Sequence, residues 1–328
     1  MQKWSKHPAA AIKVAFVLFD QFSNMCLANC LEPMRAANTL AHQRVFDWSF
    51  LTLDGAAVHT SSGLPILPQG QLKDLEFVDY LFVLSSYQHR LHDDAKTRKA
   101  LRNAAGQCKV MIGLDTAPWL MAAAELLEGR RATIHWDVLE SFAEKFLSVD
   151  SVRHRVVKDG NRITCAGAMA SFDLTRQIIQ SHLGNSMVLD IDALMLRDDP
   201  FPALQNTQSQ RAGTPLQRAL AVMQNNIERP LTLSQITQKI ACPPKTLERQ
   251  FKAQLGASPG QAYRHIRLSV ARQLVESTSL TMAEIALRCG YENQSALSWA
   301  FKRRFGASPS QIAQLGRAAI AQSHDKFF

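Results

Sequence analysis

The sequence has few of the features that mark secreted, membrane-bound or metal-dependent proteins. Its six cysteines are scattered, with no Cys-x-x-Cys pair and no zinc-ligand spacing, which favours a reducing compartment. Cys26 and Cys30, four apart on a predicted helix, are interpreted as buried small apolar residues. No apolar segment of signal-peptide type follows the first eleven residues, and no apolar run is long enough to cross a bilayer. We therefore expect a cytoplasmic protein without membrane, metal or cofactor.

Acidic residues are scarce in the last third of the chain. Residues 1–213 carry 22 Lys and Arg and 22 Asp and Glu, whereas residues 214–328 carry 15 and 6. The whole net charge of +9 therefore lies in the second region. A neutral region joined to a basic one indicates a polyanion as partner of the basic part. Charge alone leaves open a nonspecific nucleic-acid binder or a basic surface that serves solubility.

An eleven-residue stretch occurs twice, fifty residues apart. Residues 251–261 read FKAQLGASPGQ and residues 301–311 read FKRRFGASPSQ, identical at seven positions. Each copy follows a segment that begins with Thr232 or Thr281 and has Gln or Glu three residues later, the pattern of a capping box. The Gly of each copy ends a helix and the Ser-Pro starts the next one. Two copies are too few for a solenoid, so we predict a tandem of helix-turn-helix motifs.

The helical pattern continues around the two motifs. We predict a helix from 214 to about 227 and a connecting helix from 259 to about 278. A rigid connection of that kind would place the second helix of each motif in successive major grooves on one face of DNA. The predicted cores are Ile236, Ile240, Leu247 and Phe251 in the first motif and Ile285, Leu297 and Phe301 in the second.

The first two hundred residues alternate strands with helices. Strands are predicted at 12–19, 48–53, 78–84 and 109–114, helices at 23–40, 93–105 and 116–127, and a turn-rich hairpin at 55–69. Nearly continuous apolar strands are typical of a buried parallel sheet. We therefore predict an α/β domain of flavodoxin-like type with a mostly parallel sheet, and an all-α second domain. The ligand crevice of such a sheet lies beyond the carboxyl ends of its strands.

One predicted strand turns sharply into a helix at residues 113–119, GLDTAPW. A side chain at such an elbow enters the crevice, beside the free N–H groups at the start of the helix. Asp115 is that side chain. Its carboxylate has two interpretations that are compatible, contact with a ligand and N-capping of the helix that begins near Thr116.

Four further motifs accompany the elbow: LEPMRAAN at 31–38, SSG at 61–63, LLEGRRATIHW at 126–136 and TCAG at 164–167. With them, residues 12–195 resemble the DJ-1/PfpI, or class I glutamine amidotransferase-like, domain. Residues 214–315 resemble the DNA-binding domain of the AraC/XylS family. The chain as a whole is similar to the GlxA-type transcriptional regulators. The resemblance implies a sequence-specific regulator, in most members an activator, that binds a small effector and self-associates through its first domain.

The chain departs from the enzymes of this superfamily at the elbow. Those enzymes have a cysteine where this chain has Asp115, and Ser85 and Ser86 replace the Gly-Gly that often follows the preceding strand. A carboxylate at this elbow cannot take over a thiolate's part in amide hydrolysis without a different mechanism. We therefore expect a sensor and no enzyme. The competing hypothesis is an amidohydrolase or amidotransferase with a nucleic-acid-binding tail.

The resemblance also implies which side chains approach Asp115. They are Glu32 and His135, and Trp119 and Trp136 lie beside the site in sequence. Two nearby carboxylates favour a cation between them, and aromatic faces attract quaternary ammonium groups. We hypothesise an effector with an amine or quaternary ammonium group, such as an amino acid or a betaine-like molecule. The alternatives are core packing for both tryptophans, a structural role for His135, and a helix start at Glu32.

The second helix of each motif leaves one face outside its predicted core. That face carries Lys245, Thr246, Glu248, Arg249 and Lys252 in the first motif, and Gln294, Ser295, Ser298, Trp299 and Lys302 in the second. By resemblance, Lys245, Glu248 and Arg249 stand at base-reading positions. Arg249 suits guanine, Glu248 cytosine and Gln294 adenine, and Lys252 suits phosphate. Trp299 replaces a residue that is often polar in the family; it either touches DNA or packs inward, and we favour partial packing.

Composition also sets the predicted domain boundaries. Residues 199–213 are polar and contain prolines, which indicates a linker. We predict an effector-sensing domain at 10–198, the linker at 199–213, and an AraC-type double helix-turn-helix domain at 214–318. The expected partners are double-stranded promoter DNA, a small-molecule effector and a second copy of the chain, with RNA polymerase as a further contact.

Overall fold

The computed structural model describes residues 6, 8, 10–195 and 214–312. Lys6–Leu183 form one compact unit, and a second unit begins at Gly184. The predicted linker at 199–213 and the predicted domain end at 313–318 lie outside the described residues. In the described ranges, no helix is both long and apolar enough to cross a membrane.

A mostly parallel sheet forms the centre of the first unit. The elements follow in the order β1 (Ile12–Leu18), α1 (Asn24–Ala41), β2 (Phe46–Thr52), β3 (Val58–His59), β4 (Pro65–Ile66), β5 (Gly70–Gln71), β6 (Val78–Ser85), α2 (Ala95–Ala105), β7 (Cys108–Asp115), α3 (Ala117–Ala123), β8 (Arg131–Ala132), α4 (Leu139–Lys145), β9 (Asp150–Ser151), β10 (Val156–Asp159), β11 (Arg162–Cys165) and α5 (Ala168–Leu183). Seven strands build the main sheet in the order β10-β11-β7-β6-β1-β2-β5. The pair β10–β11 is antiparallel and the others are parallel, which confirms the predicted fold class.

The central strands are buried because helices cover both faces of the sheet. In β1 every residue except Lys13 is buried, and Phe16 stacks on Phe82 of β6 with ring centroids 5.0 Å apart. Near-continuous apolar sequence is what such a position requires. The hairpin predicted at 55–69 is also present, as the antiparallel pair β3–β4.

The second unit consists of helices in the part that the structure describes. They are α6 (Asn185–Leu194), α7 (Pro215–Gln224), α8 (Leu233–Lys239), α9 (Pro244–Leu255), α10 (Pro259–Ser277), α11 (Met282–Arg288) and α12 (Gln294–Phe305). The pairs α8–α9 and α11–α12 are the two predicted helix-turn-helix motifs, and α10 is the predicted connecting helix. The contacts of α6 group it with this unit, whereas the composition of the sequence placed residues up to 198 in the first domain.

The predicted helix boundaries have the predicted chemistry. Thr232, Ser258 and Thr281 each begin a helix with a complete capping box, so the first free N–H groups of these helices are satisfied by side chains. At the other end, Gly256 and Gly306 close α9 and α12 with φ of 66° and 78°. Only glycine adopts this left-handed conformation without steric cost, so the shared Gly-Ala-Ser-Pro stretch is a helix stop followed by a helix start.

Each copy of the repeat supplies the central aromatic ring of its own core. Phe251 lies in a cluster with Leu216, Ile236 and Leu247, and Phe301 lies in a separate cluster with Ile285 and Leu297. Both rings are fully buried. Helix α10 contributes its first half to one cluster and its second half to the other. The two motifs are thus separate packing units on one continuous helix.

We expect Phe251→Ala and Phe301→Ala each to destabilise one motif and to spare the other. Removal of a buried phenylalanine ring costs about 3–5 kcal/mol because a cavity is left behind. Amide hydrogen exchange read by mass spectrometry should show faster exchange in α8 and α9 for the first variant, and in α11 and α12 for the second.

The exposed neighbour Lys252 offers a matched control for this pair. Lys252→Ala should change stability by less than about 0.5 kcal/mol. Equal loosening of both motifs by either phenylalanine variant would contradict the description of two separate cores.

Candidate effector site and nucleic-acid interface

The parallel register of β6 and β7 builds the elbow. Ser85, at the end of β6, is paired with Asp115, at the end of β7. Asp115 has φ of 61°, a left-handed conformation that aspartate and asparagine tolerate better than most residues. Two residues earlier, a Cβ on Gly113 would lie 2.6 Å from Met121 Sδ. A side chain at residue 113 would also crowd the start of α3, since its Cβ would lie 3.2 Å from the Pro118 backbone nitrogen.

The carboxylate of Asp115 is directed away from the start of α3. Thr116 is the N-cap residue of that helix and makes no side-chain capping bond. The Thr116 hydroxyl instead donates to the Ser86 carbonyl oxygen at 2.8 Å. Asp115 Oδ2 accepts a hydrogen bond from Cys26 Sγ, 3.9 Å away on α1, and the Ser86 side chain also hydrogen-bonds to this carboxylate. Capping does not account for an aspartate at this position.

Burial dominates the electrostatics of the site. Asp115 is 7% exposed, and this burial raises the pKa of its carboxyl above the ordinary value, although the Ser86 hydrogen bond, the charge of His135 and the Cys26 hydrogen bond act in the opposite direction. Burial, followed by the nearby Asp115, raises the pKa of Cys26 to about 12. Burial also raises the pKa of Cys165. These sulfurs stay protonated at neutral pH and are poor nucleophiles.

His135 lies next to the elbow, as the resemblance implies, and Trp136 follows it in the chain. The His135 backbone N–H donates to the Asp115 carbonyl oxygen at 3.0 Å, and its Nδ1 accepts from the Asp137 backbone N–H at 3.4 Å. The indole of Trp136 lies 5.6 Å from the imidazole, measured between ring centroids, and is 65% exposed. The exposed Trp136 indole, in contact with His135, is available to a ligand.

The structure places Glu32 and Trp119 differently from the sequence-based hypothesis. Glu32 is exposed and forms an ion pair with Arg35, one turn along α1, at 2.7 Å. Cys26 is the residue of α1 that contacts Asp115. Trp119 is 2% exposed and its Nε1 donates to Asp93 Oδ2 at 3.3 Å. Trp119 is therefore a core residue, because its position on α3 turns the ring into the packed interior.

Cys26 is the site residue that motif comparison missed. The helix that follows β1 starts at the carboxyl edge of the sheet, so its first turn faces the crevice. That rule, applied to residues 24–27, would have indicated Cys26.

A cavity of about 320 Å³ opens beside His135 and Trp136. Its walls are Thr133, Ile134, Trp136, Leu139, Arg153, His154, Arg155 and residues 166–170. Arg155 is paired with Asp173 at 2.9 Å, whereas Arg153 forms no ion pair among the described residues. Neither Asp115 nor His135 lines this cavity, but a Cβ on Gly167, one of its wall residues, would lie 3.8 Å from His135 Cδ2. The space next to the elbow thus has an aromatic wall and an unpaired guanidinium group.

The predicted DNA-contacting residues share one face on each recognition helix. Lys245, Glu248, Arg249 and Lys252 are exposed on α9, with Thr246 half-buried beside them, and Gln294, Ser295, Trp299 and Lys302 are exposed on α12, with Ser298 half-buried. The four basic residues form no ion pair within the described part of the chain, so their charges are free for phosphate or base edges.

Trp299 is 65% exposed, which differs from the partial packing that the sequence suggested. The guanidinium carbon of Arg303 lies 5.2 Å from the centre of its ring. The indole therefore stands on the outer face of α12 together with a cation, and neither group is part of the core.

Comparison with known proteins agrees with both halves of this description. Residues 12–181 match the DJ-1/PfpI family, and residues 236–314 match a helix-turn-helix domain. Among curated proteins, the HTH-type transcriptional regulator CdhR of Pseudomonas aeruginosa is 31% identical over 302 residues, which is 90% of each chain. The HTH-type transcriptional regulator GlxA of Rhizobium meliloti is 29% identical over 92% of this chain and 95% of that protein.

A solved structure of an AraC family transcriptional regulator from Pseudomonas putida superposes with a TM-score of 0.51 at 20% identity. It covers 56% of this chain and 99% of that one. This likeness shows the fold alone. The two sequence relatives are named as transcriptional regulators, and each aligns with nearly the whole chain. By this relationship, the chain is a transcriptional regulator. It belongs to the HTH-type transcriptional regulators that join a DJ-1/PfpI family domain to an AraC-type helix-turn-helix domain.

Proposed function

We propose that this regulator changes transcription in response to a small metabolite with an amine or quaternary ammonium group, bound in a non-catalytic pocket at the elbow of the first unit. The observation that carries the proposal is the buried carboxylate of Asp115. In the described residues Asp115 forms no ion pair, and burial raises its pKa. A cation beside it would stabilise the charged form, since opposite charge offsets desolvation.

The surroundings of the elbow support a ligand with two ends. Trp136 presents an exposed indole, and aromatic faces attract ammonium groups. The guanidinium group of Arg153 lines the cavity beside Trp136, and it could bind a carboxylate group of the ligand. An amino acid or a betaine-like molecule has both charges, so we propose a ligand of this class with its cationic end toward Asp115, His135 and Trp136.

The helical unit supports sequence-specific recognition of double-stranded DNA. Both second helices, α9 and α12, present a polar, basic face, and α10 joins them without interruption over 19 residues. In this proposal α9 and α12 enter successive major grooves. Arg249 reads guanine, Glu248 reads cytosine and Gln294 reads adenine, while Lys245, Lys252 and Lys302 supply positive charge.

We further propose, from the resemblance to GlxA-type regulators, that the chain is an activator that dimerises through its first unit and contacts RNA polymerase. A promoter-reporter assay with and without the effector tests the sign of regulation. Light scattering of the purified chain tests the dimer.

Arg249→Ala and Lys252→Ala should affect DNA binding in different ways. Loss of a base contact costs about 1–3 kcal/mol and relaxes the preference at one base pair, whereas loss of a phosphate contact weakens all sequences alike and lowers the salt slope by about one. Duplexes selected from a random pool by the wild type, titrated at several salt concentrations, measure both effects. Identical behaviour of the two variants, or equal affinity of the wild type for selected and random duplexes, would contradict sequence-specific reading by α9.

Asp115→Asn should weaken effector binding while the elbow is retained. Asparagine has the same shape and tolerates the same backbone conformation, but it lacks the charge. Hydrogen bonds to charged groups contribute about 1.5–3 kcal/mol, so affinity for a cationic ligand should fall by about tenfold or more. Calorimetric titration with tetramethylammonium, lysine, a betaine and succinate provides the measurement, with Glu32→Gln as the matched control. Binding of succinate alone, or equal loss in both variants, would refute the cation site.

Cation binding should also depend on pH in one direction. The pKa of Asp115 is raised, so the carboxyl is protonated over a wider range of pH than an ordinary aspartate, and a protonated carboxyl does not attract a cation. Affinity for tetramethylammonium should therefore rise as pH increases through this raised pKa and become constant above it. The same titration with Asp115→Asn should be flat over this range. A wild-type affinity that falls as pH rises would rule out Asp115 as the cation-binding group.

A further inference from the structure

Helix α6 carries a carboxylate that is bound by α10. Ser269 Oγ donates to Asp190 Oδ1 at 2.6 Å, and His265 Nε2 lies 2.8 Å from the same oxygen. His265 Nε2 is also 3.1 Å from the Ser186 carbonyl oxygen. Two groups of α6 thus accept from one side of the same imidazole, which fixes α6 on the middle of α10.

The contacts continue from α10 to the second recognition helix. Arg304 of α12 donates from Nε to His265 Nδ1 at 3.1 Å, and its terminal nitrogen lies 3.9 Å from Asp190 Oδ2. An Nδ1 that accepts leaves the ring proton on Nε2, where it can be donated to Asp190. The chain of donors therefore runs in one direction, from the guanidinium through the imidazole to the carboxylate.

Burial makes the geometry of this network restrictive. The side chains of His265, Asp190 and Arg304 are 2%, 12% and 22% exposed. Charged groups withdrawn from water need well-formed partners, because an unpaired buried charge is strongly destabilising. Arg304 can keep these partners only if α12 stays fixed in its rotation about its own axis and in its position along that axis, relative to α6 and α10.

The first motif has no counterpart of Arg304. In the repeat, position 304 corresponds to Gln254 on α9, and Gln254 is exposed. The difference between the copies at this position lies away from the proposed DNA-facing residues. Recognition by α12 therefore has a structural support that α9 does not share.

We propose that Asp190 is a positioning residue for DNA reading, which acts through His265 and Arg304 to hold α12 in the orientation that presents Gln294 and Lys302. Helix α6 is then a functional part of the DNA-reading unit. This inference rests on the proposed contact of α12 with DNA.

The test uses the full-length chain and resolves the two half-sites. Duplexes selected from a random pool by the wild type define the base preferences, and Gln294→Ala identifies the half-site that α12 reads. Asp190→Asn should lower the preference for the selected bases in that half-site by about tenfold, the effect of one lost base contact. Preferences in the half-site read by α9 should stay within about twofold of the wild type.

A second variant and a control separate positioning from general damage. Arg304→Gln, which introduces the residue that the first copy has, should reproduce the effect of Asp190→Asn. Gln254→Ala, at the equivalent position of α9, should leave both half-sites unchanged. Equal loss at both half-sites, or wild-type preferences in Asp190→Asn and Arg304→Gln, would overturn the positioning role. If Gln294→Ala alters no base preference, it is the proposed contact of α12 with DNA that fails.

Discussion

The parallel pairing of β6 with β7 is the constraint on which the first unit depends. It aligns Ser85 with Asp115, so the two chain turns that follow these strands occupy the same edge of the sheet. Gly113 allows α3 to approach β7 closely, and Asp115 takes a left-handed conformation at the turn between them. The position of the carboxylate follows from backbone packing, before any ligand is considered.

In this unit the same elbow can serve catalysis or sensing, and the residues around it decide between them. A nucleophile needs a low pKa, and the sulfurs near Asp115 have raised ones because they are buried. A sensor needs a group whose free energy changes when a ligand arrives. A buried carboxylate meets that need, because its charge is costly without a cation.

Local signals in the sequence were sufficient for most of the fold. Capping boxes, Gly stops and apolar strands act within a few residues, so the helices of both motifs and the positions of four main strands could be predicted closely. The resemblance correctly placed His135 near Asp115, whose carbonyl oxygen accepts from the His135 backbone N–H, whereas the ligand roles of His135 and Trp136 stay predictions. Glu32 was assigned to the wrong surroundings, and for Trp119 the structure favours the packing alternative over ligand contact. The direction of such side chains depends on how their helix is rotated against the sheet. The partial packing expected for Trp299 was wrong for a related reason. Its ring is turned to the outer face of α12, where it lies against the Arg303 guanidinium.

The contacts divide the chain at a different residue from the one that composition indicates. Asp198, Asp199 and the prolines after them indicate a loop, and composition therefore ends the first domain at 198. The contacts place the change at Gly184, and Asp190 finds its partners on α10 and α12, 75 and more residues away in sequence. Periodicity cannot reveal a pairing over that distance. A helical domain defined from residue 214 would leave His265 and Arg304 without their carboxylate, and a partly buried guanidinium would lose its counter-charge. A helical unit in which Arg304 keeps its counter-charge must therefore include α6.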